Sequence, residues 1–171
     1  MKPLKAEILL TKEWRYPIKR DILVSIWKKY KYEIKEASKF LDVPEEIILA
    51  VIYAESQGYP SAVSPAGAVG LMQIMPKTYV NIYPELKKYG VVDDIFDPRT
   101  NIYAGTYYLK QMYSKFKSWE KAIIAYNAGP DDAERGEYEE LPEETKLYLV
   151  KILGKNGVLE TIIDTEITKK A

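Results

Sequence analysis

The stretch PEEIILAVIYAESQG, residues 44–58, decides the fold. Its punctuation is that of a helix: Pro44 suits a first turn, Glu45 and Glu46 face the positive end of the helix dipole, and Gly58 stops the chain just past the last turn. Between these signals, residues 47–54 are apolar without a break. A helix that is apolar on every side belongs inside a fold rather than on its surface. A single carboxylate follows the run. Residues three and four apart share a helix face, which puts Glu55 beside Ile52 and Val51, with Ile48 one turn further back. There the carboxyl group loses water and meets the negative end of the dipole, and both effects disfavour its anion. A carboxylic acid that keeps its proton near neutral pH is what general-acid chemistry on a glycosidic bond requires. The other reading open at this point is an ordinary Glu on a frayed last turn, pointing into water.

Working outward, helix signals recur. From Ile18 to about Leu41, the positions Ile22, Ile26, Trp27, Tyr30, Ile34, Ala37 and Leu41 repeat at helical spacing. Residues 1–17 read as an irregular arm ending at Pro17. The segment 58–70 holds Pro60, Pro65 and Gly67 among small residues and reads as a loop. A short helix opens at Pro76 and is expected to stop before Pro84. Asp97-Pro98 is a helix start, an Asp cap with Pro in the first turn. The helix from it should run to about Phe116 with Ile102, Gly105, Tyr108, Leu109 and Met112 inward. Gly105 in that interior costs about 1 kcal/mol relative to Ala, which close helix packing would explain. Ser118 caps a further helix to about Asn127, broken by Gly129-Pro130. The acidic stretch 131–141 reads as loop, and Pro142 opens a last helix to about Leu153, ended by Gly154. The tail 156–171 shows some alternation, which leaves a short strand or a packed extension open. The expectation is an all-α domain (helical α+β at most), with an arm at 1–17, the domain proper at 18–155 and a tail at 156–171.

Composition removes whole classes of chemistry. The chain has 171 residues, the size of one domain with one substantial core. Lys plus Arg and Asp plus Glu number 25 each, so no field of one sign favours nucleic acid or an anionic membrane. There is no Cys and no His, which excludes disulfides, thiolate and Ser-His nucleophiles, and the commonest zinc ligands. Acid–base work near neutral pH therefore falls to a carboxyl, Tyr or Lys with a shifted pKa. Tyr is abundant at 15 residues, and its ring stacks on sugars as readily as it fills a core. The N-terminal residues lack a signal-peptide apolar core and cleavage site, and no run reaches the length of a membrane span.

Four segments in fixed order are AVIYAESQGYPSAVSPAGAVGLMQIMP (50–76), DPRTNIYAGTYYL (97–109), AYNAGP (125–130) and LPEETKLYLVKIL (141–153). Together they resemble the catalytic domain of soluble-type lytic transglycosylases (SLT domains), relatives of goose-type lysozymes. The string GLMQIMP at 70–76 and the Glu-Ser pair at 55–56 are the most specific parts. The resemblance implies a lysozyme-like helical domain with a catalytic helix and a cleft. It also implies cleavage of the β-1,4 bond between N-acetylmuramic acid and N-acetylglucosamine in peptidoglycan. In that family the matching Glu acts alone: it protonates the leaving oxygen, then accepts the proton of the sugar's C6 hydroxyl as a 1,6-anhydro ring closes. No cofactor and no metal is implied, no nucleic acid, and a monomer is expected to act on glycan strands. The place of action implied is the cell envelope if a leader was removed, and otherwise delivery by a phage or synthesis in the cytoplasm.

The resemblance also assigns residues, each with a plainer alternative. Ser56 belongs to the Glu-Ser pair. Ser64 matches a Ser that contacts the acetamido region, or stabilises the turn before Pro65. Gly70 lets backbone approach substrate, or simply supplies its φ angle. Gln73 and Met75 match residues lining the cleft, although Met also serves as core filler. Tyr126 matches a cleft Tyr whose hydroxyl bonds the catalytic carboxyl or the sugar, or is an aromatic core residue. Asn127 is expected to hold the helix end through backbone bonds. Glu144 matches a Glu at the cleft edge, or stabilises a helix start. Lys146 stands where the family often has Arg, and cannot make a planar bidentate contact. The rival within the fold is an inverting lysozyme, which needs a second carboxylate about 6.5–9.5 Å from the acid. Asp93, Asp94 and Asp97 are the candidates, with helix capping and solvation as their plainer roles. A non-catalytic peptidoglycan-binding scaffold is the rival from another class.

Overall fold

The computed structural model describes residues 10–135 and 137–169. Within them the chain forms eight α-helices: α1 (Arg20–Leu41), α2 (Glu45–Ser56), α3 (Pro76–Leu86), α4 (Pro98–Phe116), α5 (Trp119–Ala128), α6 (Pro130–Arg135), α7 (Glu143–Leu153) and α8 (Val158–Thr165). Short 3-10 turns follow α3, α6 and α8. Among the described residues β-structure is limited to isolated bridges, at Glu13 with Lys155, Val63 with Val69, and Val69 with Ile74. The all-α expectation holds.

The apolar run of α2 sits at the centre, with every residue from 47 to 53 buried. Helices α1, α7 and α8 pack around it, and α4 carries α1, α3 and α5. Pro44 lies just outside α2 as its N-cap, in an extended conformation beside the first turn. Caps read from the sequence are present at two other helices. Asp97 accepts from the Thr100 amide at 3.0 Å, and the Ser118 hydroxyl accepts from the Lys121 amide at 3.2 Å.

Two expectations fail, each for a physical reason, and a third, left open between strand and packed extension, is decided. Helix α3 runs through Pro84 instead of stopping before it. A proline in the last turn forfeits a single backbone bond, and buried Ile82 and Leu86 on either side hold the turn in place. The acidic stretch after Gly129 is not all loop. Pro130 and two Asp in its first turn, Arg135 at its end and a fully buried Ala133 make α6 a helix. The tail is helical as well. Val158, Leu159 and Ile162 are buried at helical rather than alternate spacing, so α8 places an apolar stripe against α2.

The arm expected at 1–17 is described from Leu10 onward; residues 1–9, like residues 170–171 of the tail, lie outside the described part. From Leu10 to Trp14 the arm is stitched to the α7–α8 connection. Leu10 N–H donates to Leu153 O, Trp14 N–H to Lys155 O and Lys155 N–H to Lys12 O, each at 2.8 Å.

Candidate active site

Glu55 emerges at the end of α2 as a partly accessible side chain behind a fully buried run. Its burial removes water from the carboxyl group and pushes the pKa up to about 7. The Tyr148 hydroxyl, from α7, donates to Glu55 Oε2 at 2.7 Å and opposes that rise, because it stabilises the anion. The charge of Glu144 raises the pKa and that of Lys151 lowers it. Glu144, Tyr148 and Lys151 are spaced four and three apart on α7, so one helix face delivers all three influences. Burial also pushes the Tyr148 phenol well above its ordinary range, so it stays a donor whatever the charge on Glu55.

The loop between α2 and α3 forms the facing wall. The Ser56 hydroxyl, buried and next to Glu55, donates to Leu71 O at 2.7 Å and accepts from Gly58 N–H at 3.1 Å. Asn101 from α4 is fully buried; its Oδ1 accepts from Met72 N–H at 2.7 Å. Its Nδ2 donates to Val69 O at 2.9 Å and to Ile95 O at 2.8 Å. The Tyr126 hydroxyl donates to Met72 O at 2.6 Å. Of the partners expected for the Tyr126 hydroxyl, the Glu55 carboxyl is not the one it reaches: Tyr126 grips backbone, and Tyr148 grips Glu55.

Of the remaining expected residues, Ser64, Gly70, Gln73 and Met75 belong to the same loop and Asn127 shares a cavity with it, whereas Glu144 lies on α7. Gln73 Nε2 donates to Ala62 O at 3.1 Å and Gly70 O at 3.0 Å. The Ser64 hydroxyl accepts from Ala68 N–H at 3.0 Å within its turn. Gly70 has φ +84°, and a Cβ there would lie 2.3 Å from Asn101 Nδ2. Both its φ and the room it leaves for Asn101 therefore require glycine. Asn127 holds α5 to α7 by accepting from the Thr145 hydroxyl at 2.9 Å, a side-chain bond rather than the backbone bonds expected. Met75 is exposed just before α3. A cavity of about 210 Å³ is lined by Gln73, Met75, Tyr108, Tyr126 and Asn127 among others. Glu144 lies exposed on the first turn of α7. A larger cavity of about 500 Å³, between residues 13–18 and α8, contains none of the expected residues.

The three Asp residues that could have served as a second carboxylate are each engaged in structure. Asp93 accepts from the Tyr79 hydroxyl at 2.7 Å, Asp94 from Phe96 N–H at 2.9 Å, and Asp97 from the Thr100 amide and hydroxyl at 3.0 Å each. Among the described residues no group of three or more Asp or Glu is placed to hold a metal ion, and no helix is long and apolar enough to cross a membrane.

The model of the transglycosylase SLT domain matches residues 32–148. The chain belongs to that family. It is 32% identical over 128 residues to the soluble lytic murein transglycosylase of Escherichia coli K12, a match covering 68% of this chain and 20% of that protein. It is 32% identical over 126 residues to the transglycosylase of Enterobacteria phage PRD1, covering 74% of this chain and 42% of that one. Among solved structures, the 70 kDa soluble lytic transglycosylase of Escherichia coli superposes with a TM-score of 0.67 at 27% identity, covering 83% of this chain and 26% of that one. This SLT chain thus spans between about a fifth and two fifths of the length of these relatives.

Sequence reasoning missed three residues of the site: Tyr148, Lys151 and Asn101. The spacing 144, 148, 151 on an expected helix was a usable signal once Glu144 had been singled out. Asn101 had a weaker one, as an amide in the interior of an amphipathic helix where an apolar residue is the norm.

Proposed function

We propose that this SLT domain is a peptidoglycan lytic transglycosylase. On this reading it cleaves the β-1,4 bond between N-acetylmuramic acid and N-acetylglucosamine without water and leaves a 1,6-anhydro-N-acetylmuramic acid end. The observation that carries the reading is Glu55, a carboxyl raised to about 7 and held by a phenol, while Asp93, Asp94 and Asp97 are each engaged in structure. Protonated Glu55 gives its proton to the glycosidic oxygen as the C1–O bond breaks, and the substrate's 2-acetamido oxygen supports the charge at C1. The resulting carboxylate takes the proton of the C6 hydroxyl as that oxygen bonds C1. Glu55 is thereby reprotonated, first acid and then base. Tyr148 holds Oε2 through both steps, which leaves Oε1 for the sugar. Gln73, Met75, Tyr126 and Asn127 form the wall on which the glycan lies, Ser56, Ser64 and Gly70 support that wall from behind, and Glu144 marks the cleft edge.

Digestion of purified peptidoglycan followed by mass spectrometry tests this. The expected products are muropeptides lighter by one water than hydrolysis would give. Glu55→Gln should fold normally and lose activity by about 10³-fold or more. Products carrying the added water would establish a hydrolase instead. Glycan binding without release, unchanged in Glu55→Gln, would establish a scaffold.

A further inference from the structure

Helix α4 contributes no residue to the cavity apart from Tyr108, yet it determines where the cavity wall stands. Asn101 and Gly105 lie one turn apart on the same face of α4. Asn101 reaches out to Met72 N–H, and Gly105 stands back: a Cβ on Gly105 would lie 2.4 Å from Met72 Sδ and 2.7 Å from Met72 Cβ. Met72 is fully buried, and its carbonyl is held from the other side by Tyr126. The backbone turns left-handed at Gly70 and again at Gln73, and a bridge between Val69 and Ile74 closes the base of this turn with two backbone bonds, so Met72 sits at its tip and is held there by side chains. The residues that follow immediately, Gln73, Ile74 and Met75, all line the cavity.

We propose that Asn101 and Gly105 form a socket for Met72 that fixes the saccharide-facing wall of Gln73, Ile74 and Met75, which makes Asn101 a positioning residue for substrate binding. The proposal rests on the glycan-cleaving reading above, and it separates shape from proton chemistry. No bond of Asn101 reaches Glu55 or its partner Tyr148. Asn101 satisfies the Met72 amide and the Ile95 carbonyl, and it shares the Val69 carbonyl with the Ile74 amide, so its loss leaves the Met72 amide in the interior without its partner. Removing its side chain frees the loop to shift by a fraction of an ångström to an ångström, the scale at which binding geometry is lost.

The test compares the wild type with Asn101→Ala, Gly105→Ala and Arg99→Ala, using purified peptide-bearing glycan strands, well below each variant's Tm. Arg99→Ala is the control on the same helix. Its guanidinium clamps Glu36 at 2.9 Å and the Tyr89 and Gly90 carbonyls, away from the loop, so it should lower Tm and leave KM unchanged. Asn101→Ala is expected to raise KM about tenfold with kcat within about threefold, the signature of lost binding rather than lost chemistry. The strands should bind more weakly by a similar factor when the change is made together with Glu55→Gln, where no turnover intervenes. If Asn101→Ala does not fold, Gly105→Ala decides, because it crowds the same Met72 without removing a hydrogen bond. An unchanged KM in the folded socket variants would overturn the proposal, as would an equal rise in Arg99→Ala. A wild type that neither binds nor cleaves the strands would overturn the functional reading and the proposal with it.

Discussion

The two walls around Glu55 are built on different principles. On one side, α7 presents Glu144, Tyr148 and Lys151, whose effects on Glu55 are electrostatic: a hydrogen bond, a like charge and an opposite charge. On the other, the loop of residues 69–74 is held by Ser56, Asn101 and Tyr126, whose bonds end on backbone carbonyls and an amide. The first wall sets when the carboxyl holds its proton, and on the proposed reading the second sets where a glycan can lie. Both contain a half-buried Tyr, and neither ring alone reveals which task it has. Only the atom at the end of the hydroxyl does.

That comparison is broken most sharply by removing one hydroxyl from each side. Tyr148→Phe deletes the donor that stabilises the Glu55 anion, so the Glu55 pKa rises and the limb where activity falls with increasing pH moves to higher pH. Loss of orientation at Oε2 should lower kcat about tenfold or more at the optimum. Tyr126→Phe deletes a bond to Met72 O, so it should raise KM and leave the pH limb where it was. Full pH–rate profiles of both variants are the measurement. If Tyr126→Phe moved the limb as far as Tyr148→Phe does, the division of labour would be wrong.

A smaller effect follows from the same carboxyl through stability. The folded state holds Glu55 at about 7, above its ordinary 4.5, so the protonated form favours folding. That contribution is complete below pH 4.5 and is lost as pH rises through about 7. Gln at this position carries no such dependence. Denaturant unfolding should therefore show Glu55→Gln gaining on the wild type as pH rises through these values, by about 3 kcal/mol at pH 8. A difference that stayed flat with pH would mean that the carboxyl is not raised in the folded protein.

Much of this could be read from the chain alone, and the part that could not has a consistent character. The buried helix was announced by eight consecutive apolar residues, and Glu55 by its place at the end of them. Asp97 and Ser118 were readable because a cap is a local interaction. The tail was not, because VLETII satisfies strand alternation and helical spacing about equally, and the surface of α2 decides between them. The same holds in the site. Family likeness placed Tyr126 in the cleft, but which tyrosine reaches Glu55 depends on how α5 and α7 approach α2. Gly105 was readable as a site of close packing, although its neighbour is the Met72 side chain of a loop rather than another helix.

The smallest expected effects test α7 alone, through charges that act on Glu55 in opposite directions. Glu144 raises the Glu55 pKa and Lys151 lowers it. Glu144→Gln should therefore move the activity limb to lower pH, and Lys151→Ala should move it to higher pH. The two differ in setting as well as in sign. Glu144 is exposed, so mobile ions screen it, and its shift should shrink as salt is raised towards about 1 M. Lys151 is half-buried, with its ammonium 5.7 Å from the centre of the Tyr53 ring, and its own pKa is lowered mainly by burial. A charge with protein on one side is screened less, so the Lys151→Ala shift should outlast the Glu144→Gln shift in the same salt series. Shifts of the same sign, or a Lys151 effect that vanished first, would mean that α7 acts on Glu55 through packing and not through charge.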